Sequence, residues 1–124
     1  MDRNFWVRKI KRDCKRAGTY KPFFDEVIKT LASILEERDQ AAETWEKTGG
    51  KVIVAHTNKA GATNLEQNPA LRLVNDLNRD ALAYWRDLGL TPKGLKAINE
   101  QALQETKADA LTEALKDLGD LGGE

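Results

Sequence analysis

Residues 68–92 read NPALRLVNDLNRDALAYWRDLGLTP, and the punctuation of this stretch decides the fold class. Asn68 suits a helix N-cap, and Pro69 suits the first helical position, where its missing N–H costs nothing. Val74, Leu77, Ala81, Tyr84 and Leu88 then recur three and four residues apart, with Leu73 and Trp85 widening the same face. That spacing predicts an amphipathic helix. Gly89 can take the positive φ that stops a helix, and Leu90 can fold back on the preceding turn. Thr91 and Pro92 repeat the opening signal for a further helix carrying Leu95, Ile98, Ala102 and Leu103. By its turn chemistry, Leu-Gly-Leu-Thr-Pro is a corner that fixes the angle between two helices.

Working outward, the chain is helical on both sides of one interruption. Residues 3–17 predict a helix with Trp6, Ile10, Cys14 and Ala17 on one stripe, stopped by Gly18. Pro22 opens a long helix over 22–47, with Phe24, Ile28, Leu31, Leu35, Ala42 and Trp45 in a heptad-like register interrupted at Arg38. Val27, Ile34 and Ala41 form a second stripe beside it, so this helix touches more than one neighbour. Residues 51–66 break the pattern with a β-branched run, Lys51 to Ala55, the turn Asn58-Lys59-Ala60-Gly61 and a return from Ala62 to Leu65, which predicts a small hairpin. An isolated hairpin is marginal in water and calls for something to pack on. The expectation is a mainly α fold in one domain, 1–124. It comprises a basic helix and turn over 1–21, a long helix over 22–47, a hairpin over 51–66, a helix pair over 69–107 and an acidic tail over 108–124. That tail ends in Gly119-Asp120-Leu121-Gly122-Gly123-Glu124, where helical spacing stops. The paired stripes on 22–47 and 69–88 exceed what one thin helical pair buries, so they predict packing between copies.

Composition excludes several classes of function. The chain has 124 residues, 40% hydrophobic and 32% charged, which suits long amphipathic helices in a single domain. Its apolar runs are far shorter than the roughly 20 residues that span a bilayer, and nothing resembles a secretory signal. One cysteine, Cys14, excludes an internal disulfide and fits a reducing cytoplasm. One histidine and one cysteine cannot complete a metal site, so no metal and no cofactor are expected. Gly49-Gly50-Lys51 lacks the upstream glycine and the following hydroxyl of a phosphate-binding loop. His56 has no nucleophile placed beside it and reads as a surface residue. No catalytic residue is expected.

The net charge of zero is segregated. Residues 1–21 carry eight basic side chains against Asp2 and Asp13, a net of +6, which leaves the remainder at −6. A basic segment on an otherwise acidic chain suggests contact with a polyanion, although a solvated helix face reads the same way.

The Asn-Pro opening and the Leu-Gly-Leu-Thr-Pro corner together resemble the C-terminal half of a phage terminase small-subunit family, and Lys93-Gly94-Leu95-Lys96-Ala97-Ile98 continues the likeness. Upstream, Ala17-Gly18-Thr19-Tyr20-Lys21, then Phe24-Asp25 and Ile28, is similar to the start of the first long helix in that family. The glycine at 49 or 50 falls where members leave that helix for a variable hairpin. The likeness covers residues 8–100. It implies a ring-like homo-oligomer in the host cytoplasm that recognises the packaging site on double-stranded phage DNA. It also implies regulation of the large terminase subunit, without a catalytic site or cofactor. Many members carry an N-terminal helix-turn-helix. Here the first two predicted helices only mimic its outline, since the second is too long and too acidic to read a groove.

The expected DNA-binding residues are Arg8, Lys9, Lys11, Arg12, Lys15 and Arg16, which helical spacing spreads opposite Trp6, Ile10 and Cys14. Lys93 and Lys96, at the start of the last helix, are a second expected phosphate contact. Leu111, Leu115 and Leu118 form a narrow apolar stripe among Asp109, Glu113, Asp117 and Asp120, suited to a groove on a partner or to the ring itself. Two other readings stay open. One is a scaffold-like helical oligomer of a phage particle that binds no DNA. The other is a small transcriptional regulator, which should show a cleaner helix-turn-helix. Membrane-surface binding, the other use of a basic amphipathic helix, fits the narrow stripe less well.

Overall fold

The computed structural model describes residues 1–121, the side chains up to residue 119. Four α-helices and one antiparallel hairpin follow in the order α1 (Arg3–Ala17), α2 (Asp25–Lys47), β1 (Ile53–Thr57), β2 (Thr63–Gln67), α3 (Pro69–Asp87) and α4 (Pro92–Leu121). The fold is therefore mainly helical with a small two-stranded sheet.

Helix α2 is the spine. It lies antiparallel to α1, as the hydrogen bonds Trp6 Nε1 to Asp39 (2.8 Å) and Tyr20 Oη to Asp25 (2.9 Å) show at their two ends. On its other side α3 returns along it, with Arg38 Nη1 donating to Asn78 (3.2 Å) midway. Ile10, Cys14, Ile28, Leu31, Ala32, Leu35, Ala81 and Leu88 form the core, and Trp6, Val7, Tyr20, Phe24, Val27, Ile34, Tyr84, Trp85 and Leu90 close over it. The two stripes expected on residues 22–47 are thus largely occupied by α1 and α3 of the same chain. Exposed apolar surface instead concentrates on the hairpin, at Val52, Ile53 and Leu65, and on α4, at Leu103, Leu111, Leu115 and Leu118.

Three helices end by one device. After α1, α2 and α3 a glycine (Gly18, Gly49, Gly89) takes positive φ. The following residue's N–H then reaches back to Cys14, Trp45 or Trp85 respectively, each at 2.9–3.0 Å. This is the Schellman pattern, which satisfies carbonyls that a helix end leaves orphaned. Pro22 departs from expectation: Pro22–Phe24 form a separate 3-10 turn, and the α-helix begins at Asp25. Asn68 does more than cap α3. It is buried, accepts from Ala70 N (3.1 Å) and donates to Thr48 Oγ1 (3.1 Å) and Lys51 O (2.9 Å), tying together the end of α2, the hairpin base and α3.

The strands lie slightly later than expected, β1 starting at Ile53 rather than Lys51 and β2 ending at Gln67 rather than Leu65, with Ile53 opposite Gln67 and Thr57 opposite Thr63. Asn58 holds its turn, accepting from Ala60 N and Ala62 N at 3.0 Å each. The helical spacing expected on the tail from residue 108 joins that of the preceding helix, as α4 runs unbroken to Leu121. Gly119 alone lacks the strength to end a helix without the left-handed turn seen at the other three glycines. The expected ending at residues 122–124 lies outside the described residues.

Candidate nucleic-acid interface

Helix α1 is fixed by its apolar face, and that determines what its basic face can do. Asp2 caps it, accepting from Phe5 N at 2.8 Å. Ile10 and Cys14 are fully buried, so the residues on the opposite side point to solvent. Arg8, Arg12, Lys15 and Arg16 are exposed on that side, and none has an ion-pair partner among the described residues. Steps of four residues set the backbone positions of Arg8, Arg12 and Arg16 about 6 Å apart along the helix axis.

The structure divides the expected basic set. Lys9 is held by Asp13 at 2.8 Å and Lys11 by Asp25 at 3.7 Å. Lys11 and Lys15 also lie over the Tyr20 ring, 5.6 and 5.1 Å from its centroid. Lys9 is therefore tied within α1 and Lys11 braces the joint between α1 and α2, which leaves Arg8, Arg12, Lys15 and Arg16 as the cationic ridge without a carboxylate partner among the described residues. Such a ridge, with forked arginine donors, suits the oxygens of a phosphate backbone.

Lys93 sits in the first turn of α4 and Lys96 just beyond it, and Thr91 caps that turn through its hydroxyl, accepting from Gly94 N at 3.0 Å. Lys96 leans toward Glu100 at 3.9 Å. Lys93 is exposed and shares a shallow cleft of about 270 Å³ with Arg86. Arg86 carries no signal of this role in the sequence, because only the tight corner at Gly89 brings the end of α3 beside the start of α4. Leu111, Leu115 and Leu118 are all on α4, 59–64% exposed, with no neighbour covering them.

Two buried or braced groups complete the electrostatics. Burial opposes the charge on Asp39, but hydrogen bonds from Trp6 and Arg38 and the Arg38 charge prevail, holding its carboxyl below the usual carboxylate range. Arg38 itself lies over the Trp6 ring at 5.4 Å, which explains a charged residue in the midst of an apolar register. Burial pushes the Cys14 thiol up, with Asp13 adding to the effect against a hydrogen bond with Thr19. That thiol is a packing group. Among the described residues no cluster of histidine, cysteine or carboxylate could hold a metal ion, and no helix is long and apolar enough to cross a membrane.

A family model described as phage terminase, small subunit, matches residues 3–105, from the first residue of α1 into the middle of α4. The chain belongs to the phage terminase small-subunit family. In this terminase small subunit the matched region takes in the core, the hairpin and the arginine ridge. A segment of 54 residues is also 43% identical to the bifunctional protein FolD of Natranaerobius thermophilus. That segment is 40% of this chain and spans 19% of the FolD protein's length. No solved structure matches the chain.

Proposed function

We propose that this terminase small subunit is the non-catalytic DNA-recognition component that starts genome packaging and regulates the large terminase subunit. The observation that carries the reading is the ridge of Arg8, Arg12, Lys15 and Arg16, exposed and without a carboxylate partner among the described residues, on a helix whose other face is locked in the core. Double-stranded phage DNA is its ligand, gripped through phosphates rather than read through base edges. One ridge makes only a few phosphate contacts. A ring-like homo-oligomer in the host cytoplasm repeats it in every copy, and effective concentration turns weak contacts into useful binding. Lys93, with Arg86 beside it, extends the contact. Leu111, Leu115 and Leu118 supply an apolar stripe for the large subunit.

The test is fluorescence anisotropy on duplex DNA across a salt series, with oligomeric state followed by native mass spectrometry. Affinity should fall steeply with salt. Replacing Arg8, Arg12, Lys15 and Arg16 with alanine should shrink the slope of log affinity against log salt by about 0.9 for each phosphate that the variant no longer neutralises. The oligomer should survive. Unchanged binding in that variant overturns the ridge as the DNA site. An intact oligomer that never binds DNA supports the scaffold-like reading instead, to which the exposed leucines of α4 lend weight.

A further inference from the structure

The far half of α4 carries two opposed ridges. At 3.6 residues per turn, Leu111, Leu115 and Leu118 share one side, and Glu105, Asp109, Glu113 and Asp117 run along the other. All seven are exposed, and none of the four carboxylates has an ion pair among the described residues. Lys116 alone breaks the acidic ridge. The acids stand four residues apart, the same interval as Arg8, Arg12 and Arg16 on α1. Two rows with equal steps of about 6 Å and opposite sign can lie side by side in register.

The two rows of one chain cannot meet. Thr91, at the start of α4, shares a cleft with Asp13, in the C-terminal third of α1. Ile98, Ala102 and Glu105 then share a groove of about 550 Å³ with Gly18, Lys21 and Phe23, beyond the end of α1. Helix α4 thus travels past the C-terminus of its own α1 and continues without a break, leaving Arg8 to Arg16 behind it. We infer that the acidic ridge of α4 docks on the arginine ridge of a second copy and shields it until DNA displaces it.

This inference rests on the arginine ridge being the DNA face, and it adds a competitor for that face within the assembly. A single exposed ion pair contributes little, but a row of them acts together and is screened by salt. Phosphates present a denser row of negative charge, so DNA wins where it is available. The leucine ridge stays free on the opposite side of α4 for the large subunit.

The test uses two measurements on the full chain. In the first, Glu105→Gln, Asp109→Asn, Glu113→Gln and Asp117→Asn are combined and DNA affinity is read at low salt. A control replaces Glu26, Glu37, Glu43 and Glu46 of α2 with glutamine, which changes the net charge equally. The α4 variant should bind DNA about tenfold more tightly than the control, a difference of about 1.4 kcal/mol; equal affinities overturn the shielding. The second measurement needs no DNA. Isotopically heavy and light chains are mixed and treated with a carbodiimide, which joins amines to carboxylates. Heavy-to-light links from Lys15 to the α4 acids are expected. Their absence overturns the contact, as do α4 links that form only to added large subunit. If the wild-type chain binds no DNA, the DNA reading fails by itself, while the cross-links still decide whether the ridges meet.

Discussion

The hydroxyl of Thr19 donates a 2.7 Å hydrogen bond to the backbone carbonyl of Leu88, joining residues 69 apart in sequence. Both lie at helix ends, Thr19 just past α1 and Leu88 at the close of α3, and both are buried. Each glycine corner has satisfied its own carbonyls, and this bond locks one corner to the other. Thr19→Val keeps the shape but leaves the Leu88 carbonyl buried without its partner. That should lower stability by about 1–3 kcal/mol. A guanidinium titration checks it, with the midpoint shifting and the slope unchanged.

The corner between α3 and α4 is defined by space as well as by that bond. A Cβ on Gly94 would run into the carbonyl oxygen of Arg86, and one on Gly89 would lie 2.7 Å from the Thr19 side chain and 2.8 Å from that of Ile98. Gly89 also has φ of +73°, a conformation that disfavours any side chain. Gly94→Ala should therefore push α4 away from α3. Removing space from a close backbone contact costs about 1–3 kcal/mol. The α1–α2–α3 core does not include Gly94, so hydrogen exchange should rise first along α4. Equal protection of α4 in wild type and variant would show that the helix tolerates the intrusion.

These corners mark how far the sequence could be read. Asn68-Pro69 and Gly89 to Pro92 carry their conformations in their own chemistry, so the bounds of α3 and the start of α4 were legible. Burial at Ile10, Cys14, Ile28, Leu31 and Leu35 followed from spacing alone. The i,i+4 spacing of Lys9 and Asp13 was open to local pattern, but the engagement of Lys11 was not. Asp25, which engages Lys11, comes into range only when α1 and α2 fold back on each other. The same holds for Arg38, whose place over Trp6 depends on that pairing. The unbroken run of α4 was hidden because Lys107-Ala108-Asp109-Ala110 carries helical propensity without an apolar stripe. Periodicity sees packing faces, and this stretch packs on nothing in its own chain.

Asp39 links stability to acidity. Its carboxyl lies below the ordinary value in the folded chain, so the folded state favours the charged form. The stabilisation is present above the unfolded pKa and is lost as pH falls through the lowered folded pKa. Asp39→Asn should therefore be less stable than wild type at neutral pH, and the two should converge in strong acid. Denaturant midpoints taken from neutral pH down through the carboxylate range test this. A gap that persists in strong acid would assign the cost to shape rather than charge.

Cys14 gives the core an internal reporter. It is fully buried and its thiol is pushed up chiefly by that burial, so the reactive thiolate is scarce in the folded chain. Alkylation at neutral pH should proceed only through unfolding, and Thr19→Val should accelerate it about tenfold for each ~1.4 kcal/mol of stability lost. Rapid labelling of the untouched wild type would mean that α1 opens on its own.

The leucine stripe separates partner binding from folding. Leu111, Leu115 and Leu118 are 61%, 59% and 64% exposed, so the isolated protomer draws little from them. Glutamine matches leucine closely in helix propensity and removes the apolar surface. Leu111→Gln, Leu115→Gln and Leu118→Gln together should leave the unfolding midpoint within about 0.5 kcal/mol of wild type, the usual range for exposed positions. If the stripe serves the large subunit, its binding in a pull-down or by calorimetry should drop at least about tenfold while oligomer mass is unchanged. The opposite pattern, smaller oligomers with large-subunit binding intact, would give the stripe to the contacts between copies. The two outcomes exclude each other because one face of a helix about 10 Å across cannot bury the same three leucines in both partners at once.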